Sequence, residues 1–365
     1  MSMSSSFTGA FTGVRLAGKP KDKLYDLEYK CFLLSHPKYA DLEIEKGDFA
    51  EALELTGKAK ARFESDDLVE RGRALVQESI AFGVTHMRAF VEVDPEVALK
   101  CLEAGLLLKQ EFRDRCYIQI CAFAQDPVFS QDDGGHCMRQ LLATAAGKDG
   151  VDVIGSTPYV ETSPESEKAN VEWMIGLARK LYLHLDFHLD YNLRPDAEPV
   201  VHHVIRQLKA MRWPVFRAVT LGHCTRLTLF TTSQWQQLRD SIGDLPVSFV
   251  GLPTSDMFMM GRPTSGSIGG GERVRGTLQI LQMITEYGLQ GAIGVNNVGN
   301  AFTPQGTCDP LSVATLGVGV YQAGTKAHAE ILLVGEESCA ATSPLKSIGI
   351  PQLTRGDDLL QMFNK

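Results

Sequence analysis

The 365-residue chain has no apolar run approaching the roughly 18–20 residues a helix needs to cross a bilayer. No lysine- and arginine-rich cluster occurs either, and the formal net charge is −8. That balance argues against a nucleic-acid partner held through phosphate contacts. The opening MSMSSSFTGAFTG lacks both a basic stretch and an apolar core. It therefore does not read as a secretion signal, but as a flexible arm over residues 1–23. None of the eight cysteines stands in CxxC spacing, which speaks against a zinc–thiolate site and for buried, reduced thiols in a cytoplasmic protein. No GxGxxG follows the first strand-like run, so a dinucleotide fold is disfavoured. The glycine-rich GSIGGGER at 266–273 follows a loop, and reads as a mobile loop before a phosphate cradle.

What is present is a repeated unit. Seven short apolar runs, at 84–93, 117–124, 151–160, 182–189, 216–224, 246–254 and 291–298, alternate with longer segments of helical periodicity. Before the first run lies helical sequence from about Asp41 to Phe82, in which Asp66 or Asp67 suits an N-cap and Gly83 a stop. Alternating strand and helix implies a parallel sheet with right-handed crossovers. With LYDLEY (24–29) as an eighth strand, the α/β pattern predicts a (β/α)8 TIM-like barrel over residues 24–349, followed by a tail over 350–365. An open doubly wound sheet is the alternative.

The most informative run is Tyr182–Asn192, YLHLDFHLDYN. His184, Asp186, His188 and Asp190 fall on every second position, with Leu183, Leu185, Phe187 and Leu189 between them. On a strand this puts four ionisable groups on one face and the apolar set on the other. Such groups are costly to bury unless paired, hydrated or bound. A self-satisfied His–Asp pair is the plain structural reading; a site is the other.

In a barrel the site lies at the C-terminal strand ends. The polar residues expected there are Arg88, Glu92, Gln125, Asp126, Tyr159, Glu161, the His184–Asp190 set, His223, Ser255, Asp256, Asn296 and Asn297. His184 and His223 are the metal-ligand candidates, since two imidazoles and a carboxylate can hold a catalytic divalent ion. His202, His203 and His328 fall in helical sequence and suit core or solvated roles. His86 begins a strand and suits a buried, hydrogen-bonded one, while His36 and His136 suit loops. Phe187, Phe258 and Met257–Met260 would make an apolar pocket if they line the site.

From about Lys30 to Gly349 the chain resembles the cytosine-deaminase-like branch of the amidohydrolase superfamily. GVTHMRAFVEVDP resembles its second strand, and CAFAQDP carries Gln125 where the family has a heterocycle-binding glutamine. GVDVIGSTPYVE resembles the fourth strand. LHLDFHLD resembles the fifth, with His184 at a metal-ligand position; LGHCTRL resembles the sixth, with His223 at the next; PTSDMFMMGR resembles the seventh. The order and spacing of these motifs carry the resemblance. It implies zinc or iron activating water for attack on an amidine, ring or amide carbon, with a strand-eight aspartate as base and a strand-five glutamate as proton shuttle.

Three departures bear on that chemistry. Tyr25-Asp26-Leu27-Glu28-Tyr29 stands where the family's HxH motif should precede KCFLL; GVRLAGKPKDKLYDLE resembles the opening of the family's small β-sandwich, so an internal deletion near Glu28–Lys30 accounts for the junction. Strand eight reads GVNNVGN, with Asn296 in place of the aspartate. Phe187 stands at the glutamate position, and little sequence remains for the returning sandwich strands. A first strand missing from the barrel would leave two open edges, which Leu24–Tyr29 or a second copy of the chain would cover.

Three functions remain open. The first is deamination or other hydrolysis of a non-peptide C–N bond in a small cyclic amidine or amide. Asp186 or Asp190 would be the base, His184 and His223 would bind metal, and Gln125, Asn296 and Asn297 would contact substrate. The second is a barrel that only binds a small molecule or partner. The third is a metal-independent lyase or isomerase working with His188 and Asp190. Each implies a small-molecule ligand, with no nucleic acid or membrane partner, and leaves room for a homo-oligomer.

Overall fold

The computed structural model describes residues 8–14, 25–30, 37–39, 41–260, 276–304 and 306–341. Each of the seven apolar runs supplies one strand of a single parallel sheet. The strands are β3 (His86–Glu92), β4 (Tyr117–Ala124), β5 (Val151–Ser156), β6 (His184–Leu189), β7 (Val219–His223), β8 (Val247–Gly251) and β9 (Gly291–Ile293). They pair in strict chain order, β3 to β9. Among the described residues β3 and β9 have no further strand partner, so the barrel is incomplete, with a seam between its first and last strands.

Helices α1 (Phe49–Lys60) and α2 (Ser65–Ala81) precede the sheet, and α3 (Lys100–Glu111) to α7 (Thr232–Ile242) alternate with its strands. Several starts are written locally: Asp48 caps α1, Ser163 with Pro164 opens the helix Pro164–Leu181, and Thr231 with Gln234 forms a capping box on α7. The start of α2 departs from the sequence reading. The helix begins at Ser65 after Glu64, and Asp67 instead accepts hydrogen bonds from Tyr39 and Arg71. The main core lies between strands and helices and takes Leu185, Phe187 and Leu189 from β6 with Ile154, Val219, Leu221 and Phe249.

The tyrosine-rich run does not become the eighth barrel strand. Tyr25–Lys30 (β2) pairs antiparallel with Thr8–Val14 (β1), a strand within the stretch read as an arm. The connection from β1 to β2 is much shorter than the one from β2 to β3, and loop-closure entropy favours it modestly. The seam has a visible effect on β3: Phe90 is 39 % exposed. His86, read as buried, is likewise exposed at the start of this edge strand and bonds Thr85. Cys116, Cys121, Cys224 and Cys308 are buried free thiols, whereas Cys137 is exposed. The GSIGGGER stretch and the 350–365 tail lie outside the described residues. No described helix is long and apolar enough to cross a membrane.

One buried cation holds α1 to the sheet. Lys60 is 3 % exposed, and its Nζ lies 2.6 Å from Glu92, 2.9 Å from Asp94 and 3.1 Å from Asp126. These carboxylates end β3 and β4, so the ammonium joins the last turn of α1 to the C-terminal edge of the sheet. Removing it leaves three carboxylates crowded and uncompensated. Lys60→Met should therefore cost about 3–5 kcal/mol of unfolding free energy in urea titration, and an unchanged midpoint and slope would show that the cluster does not fasten the helix.

Candidate active site

The inward face of β6 carries His184, Asp186 and His188, but the three do different work. Asp186 pairs with Arg88 of β3, which also bonds Thr220 of β7 at 2.8 Å and Gln119 of β4 at 2.8 Å. This polar layer crosses the sheet interior. Burial pushes the Asp186 carboxyl up, and the Arg88 guanidinium opposes that shift. Asp186 is thus committed to an ion pair and is not free to act as a base.

His184 is the first residue of β6, and its Nδ1 accepts the Ala218 N–H at 2.9 Å. In the sheet register His223 stands opposite Leu189, five residues further along β6. At about 3.3 Å per residue that separates His184 from the level of His223 by roughly 16 Å. The expected His184–His223 metal pair is therefore not formed; His184 sits at the N-terminal end of the strand. The imidazole that meets His223 is His188, with ring centroids 4.8 Å apart. Phe90 and Phe123 wall the His188 ring at 5.1 and 4.7 Å. The backbone helps: a Cβ at Gly222 would lie 3.0 Å from the His188 ring, and one at Gly155 would lie 2.8 Å from Phe123. Burial and nearby His223 hold the His188 pKa well below its ordinary value, so the ring stays neutral at pH 7.

Two left-handed residues reorganise the strand ends. Asp190 has φ 50° and His223 φ 64°, in a region that non-glycine residues seldom adopt and that gathers at functional sites. Continued alternation would point His223 outward beside Leu221; the turn brings it inward. At Asp190 the turn sends the carboxylate outward, where it accepts the N–H groups of Val200 and Val201 at 2.7 and 3.0 Å. It sits at the start of Val201–Ala210 as a helix anchor, so the His188–Asp190 acid–base pair is not formed either. Burial raises the Asp190 pKa to about 6, against the pull of those two amides.

The partner that His223 does find is Asp256, at the start of the helix Pro253–Met259. Nδ1–H donates to Asp256 Oδ1 at 2.6 Å, while Thr277 Oγ1 donates to Oδ2 at 2.7 Å. Both residues are almost wholly buried, at 2 % and 0 % exposure. With Nδ1 occupied, Nε2 is the nitrogen left to accept a proton, the arrangement of an oriented general base. Asp256 stands among the strand-end polar residues in the sequence, but nothing there couples it to His223. That pairing arises from the turn at His223 and the short helix after β8.

Above this pair α1 lies across the mouth. Phe49 packs edge-on to Tyr159 at 5.6 Å and against Tyr191 and Phe302 at 5.7 and 5.9 Å. Tyr191 in turn meets His223 at 5.3 Å. The Gln125 side chain faces the Tyr159 hydroxyl. Asn297 Oδ1 accepts from Asn300 within the loop after β9, and Asn296 takes φ 63°. Of the apolar pocket residues, Phe187 points into the core instead, and Met259 and Phe258 pack with Phe49 beside the mouth.

The residues present do not make a complete metal site. His188 and His223 supply two imidazoles, whereas catalytic zinc takes three protein ligands. Asp186 and Asp190 are bound to Arg88 and to backbone amides, and among the described residues no three His, Cys, Asp or Glu side chains converge on one point.

No family model matches the chain. Its fold is nonetheless that of the amidohydrolase barrels. It superposes on 5-methylcytosine deaminase from Klebsiella pneumoniae liganded with phosphonocytosine at TM-score 0.70 and 20 % identity, covering 81 % of this chain and 69 % of that one. It also superposes on N-isopropylammelide isopropylaminohydrolase from Burkholderia multivorans ATCC 17616 at TM-score 0.58 and 22 % identity, covering 73 % of this chain and 63 % of that one. In sequence it is 30 % identical over 114 residues to N-isopropylammelide isopropyl amidohydrolase of Pseudomonas sp. (strain ADP). That stretch is 31 % of this chain and 26 % of the relative, so the match spans about a quarter of the relative's length. These neighbours are amidohydrolase-superfamily enzymes, and the resemblance read from the strand motifs holds at the level of the fold.

His184 makes the acid sensitivity of this sheet testable. Burial, with Arg88 and Arg217 nearby, lowers its pKa from 6.5 to about 4. Between those values the unfolded chain takes up a proton that the folded one refuses, so its contribution to stability is present above pH 6.5 and lost as pH falls toward 4. His184→Gln keeps an acceptor for Ala218 and should flatten the fall of unfolding free energy across that window. Parallel curves for the two proteins would show that the ring does not resist protonation.

Proposed function

We propose that the chain hydrolyses a C–N bond of a small, planar cyclic amidine or amide held at the mouth of the incomplete barrel. The observation that carries this reading is the buried His223–Asp256 pair, fixed from behind by Thr277 and opening toward an aromatic cap. Asp256 holds the imidazole with its Nε2 lone pair available. Nε2 takes a proton from water as the water oxygen bonds to the ring carbon; the imidazolium returns that proton to the departing nitrogen, and ammonia or an amine leaves. Neutral His188 stands beside the reacting centre. Phe49, Tyr159 and Tyr191 suit the faces of a flat ring, and Gln125 suits its edge. The named activities of the structural neighbours, on 5-methylcytosine and N-isopropylammelide, belong to the same substrate class.

A second reading, binding of such a ring without hydrolysis, is favoured by the imidazole pair that lacks a third ligand. Metal analysis by mass spectrometry of protein purified without chelator, joined to an ammonia-release screen over cyclic amidines and amides, separates the two. Turnover by the wild type that drops about 10²–10⁴-fold in Asp256→Asn, with ligand affinity preserved, is the expected result. Binding with no turnover across the screen, with or without added zinc or iron, would leave the binding reading standing and overturn the hydrolytic one.

A further inference from the structure

Tyr191 carries a polar atom that the site so far leaves unused. Its hydroxyl oxygen is buried and has no hydrogen-bond partner among the described residues. A buried hydroxyl without a partner is unfavourable, and such groups in native proteins call for an explanation. Three observations place this one at the reacting centre. Its ring lies 5.3 Å from His223, 5.7 Å from Tyr159 and 5.7 Å from Phe49. Burial, and then the nearby negative charge of Asp256, keeps the phenol protonated. The left-handed turn at Asp190 is also what aims it: alternation along β6 would put residue 191 on the helix side with Leu189, and the turn exchanges the two, sending Asp190 out and Tyr191 in.

A phenol that stays protonated beside the histidines is a hydrogen-bond donor.

We propose that the Tyr191 hydroxyl donates a hydrogen bond to an acceptor atom, a ring nitrogen or carbonyl oxygen, of the planar ligand at the mouth, and so selects rings that present an acceptor on that edge. The role rests on the heterocycle reading above. It makes Tyr191 a substrate-contacting residue, with Phe49 and Tyr159 supplying the faces.

Tyr191→Phe tests it, because the ring contacts remain while the hydroxyl goes. Thermal unfolding of the full chain is followed for wild type and variant, alone and with cytosine, uracil or creatinine as probes. Without probe, the variant should melt at the same or a higher temperature, since no protein hydrogen bond is lost. A clear drop would show that the hydroxyl serves the fold, and would overturn the proposal. With the probe that stabilises the wild type most, the variant should bind about tenfold more weakly, one hydrogen bond's worth; where that probe is turned over, KM should rise with kcat little changed. Equal affinity in both proteins would overturn the role of Tyr191 while leaving the heterocycle reading intact. A wild type that binds none of the probes would overturn both.

Discussion

Arg88 spans the inside of the sheet and ties together strands that are not neighbours. From β3 it reaches Asp186 on β6, across β4 and β5, and Thr220 on β7, across β4, β5 and β6. A closed barrel maintains its curvature through the continuous ladder of backbone hydrogen bonds around its wall. Among the described residues the ladder stops at β3 and β9, and the guanidinium adds a connection across the interior. Asp186 is the residue that a reading for catalysis would most readily claim, since it sits between two histidines on a polar face. Its pairing shows the opposite assignment: the lower level of the interior is used for construction, and the candidate site lies above it.

The same division runs through the other ionisable groups. Lys60, Asp190 and Glu161 all sit near the mouth, and all are satisfied by structural partners: three carboxylates, two helix amides, and the N–H groups of Val128, Phe129 and Ser130. What remains available is a small set: His188, His223 through Nε2, the Gln125 amide and the phenol of Tyr191. Three of these four come from β6 and β7 or the turn that follows β6. The site is therefore concentrated on one side of the mouth, opposite the seam.

How much of this was legible follows from which physical rule governs each part. The seven strands could be read because each is a short apolar run between helical segments, and a strand buried on both faces needs little more than that. The polar face of β6 was legible for the same reason, through its period of two. His184 and His223 are not brought together because the period says which face a residue occupies, but not how far along the strand it stands; His184 and His188 are indistinguishable on that criterion. The outward turn of Asp190 and the inward turns of His223 and Tyr191 depend on backbone angles that L-residues disfavour. No composition or spacing marks those positions, since neither residue 190 nor residue 223 is glycine. Asp256 could be placed at a strand end, yet its partner could not be named. The pairing of Tyr25–Lys30 with Thr8–Val14 is a choice of partner strand, which alternation does not report.

The strictly sequential strand order has a consequence for how the chain acquires its shape. Each strand from β4 onward pairs with the one made just before it, and a right-handed crossover helix is enough to bring it there. A complete barrel has one contact of a different kind, in which the last strand must find the first across the whole length of the domain, and such long-range closures slow folding. The described sheet contains no such contact. Its pairing can thus proceed in the order of synthesis, each new strand docking on an edge already formed, with the two outer edges never required to meet.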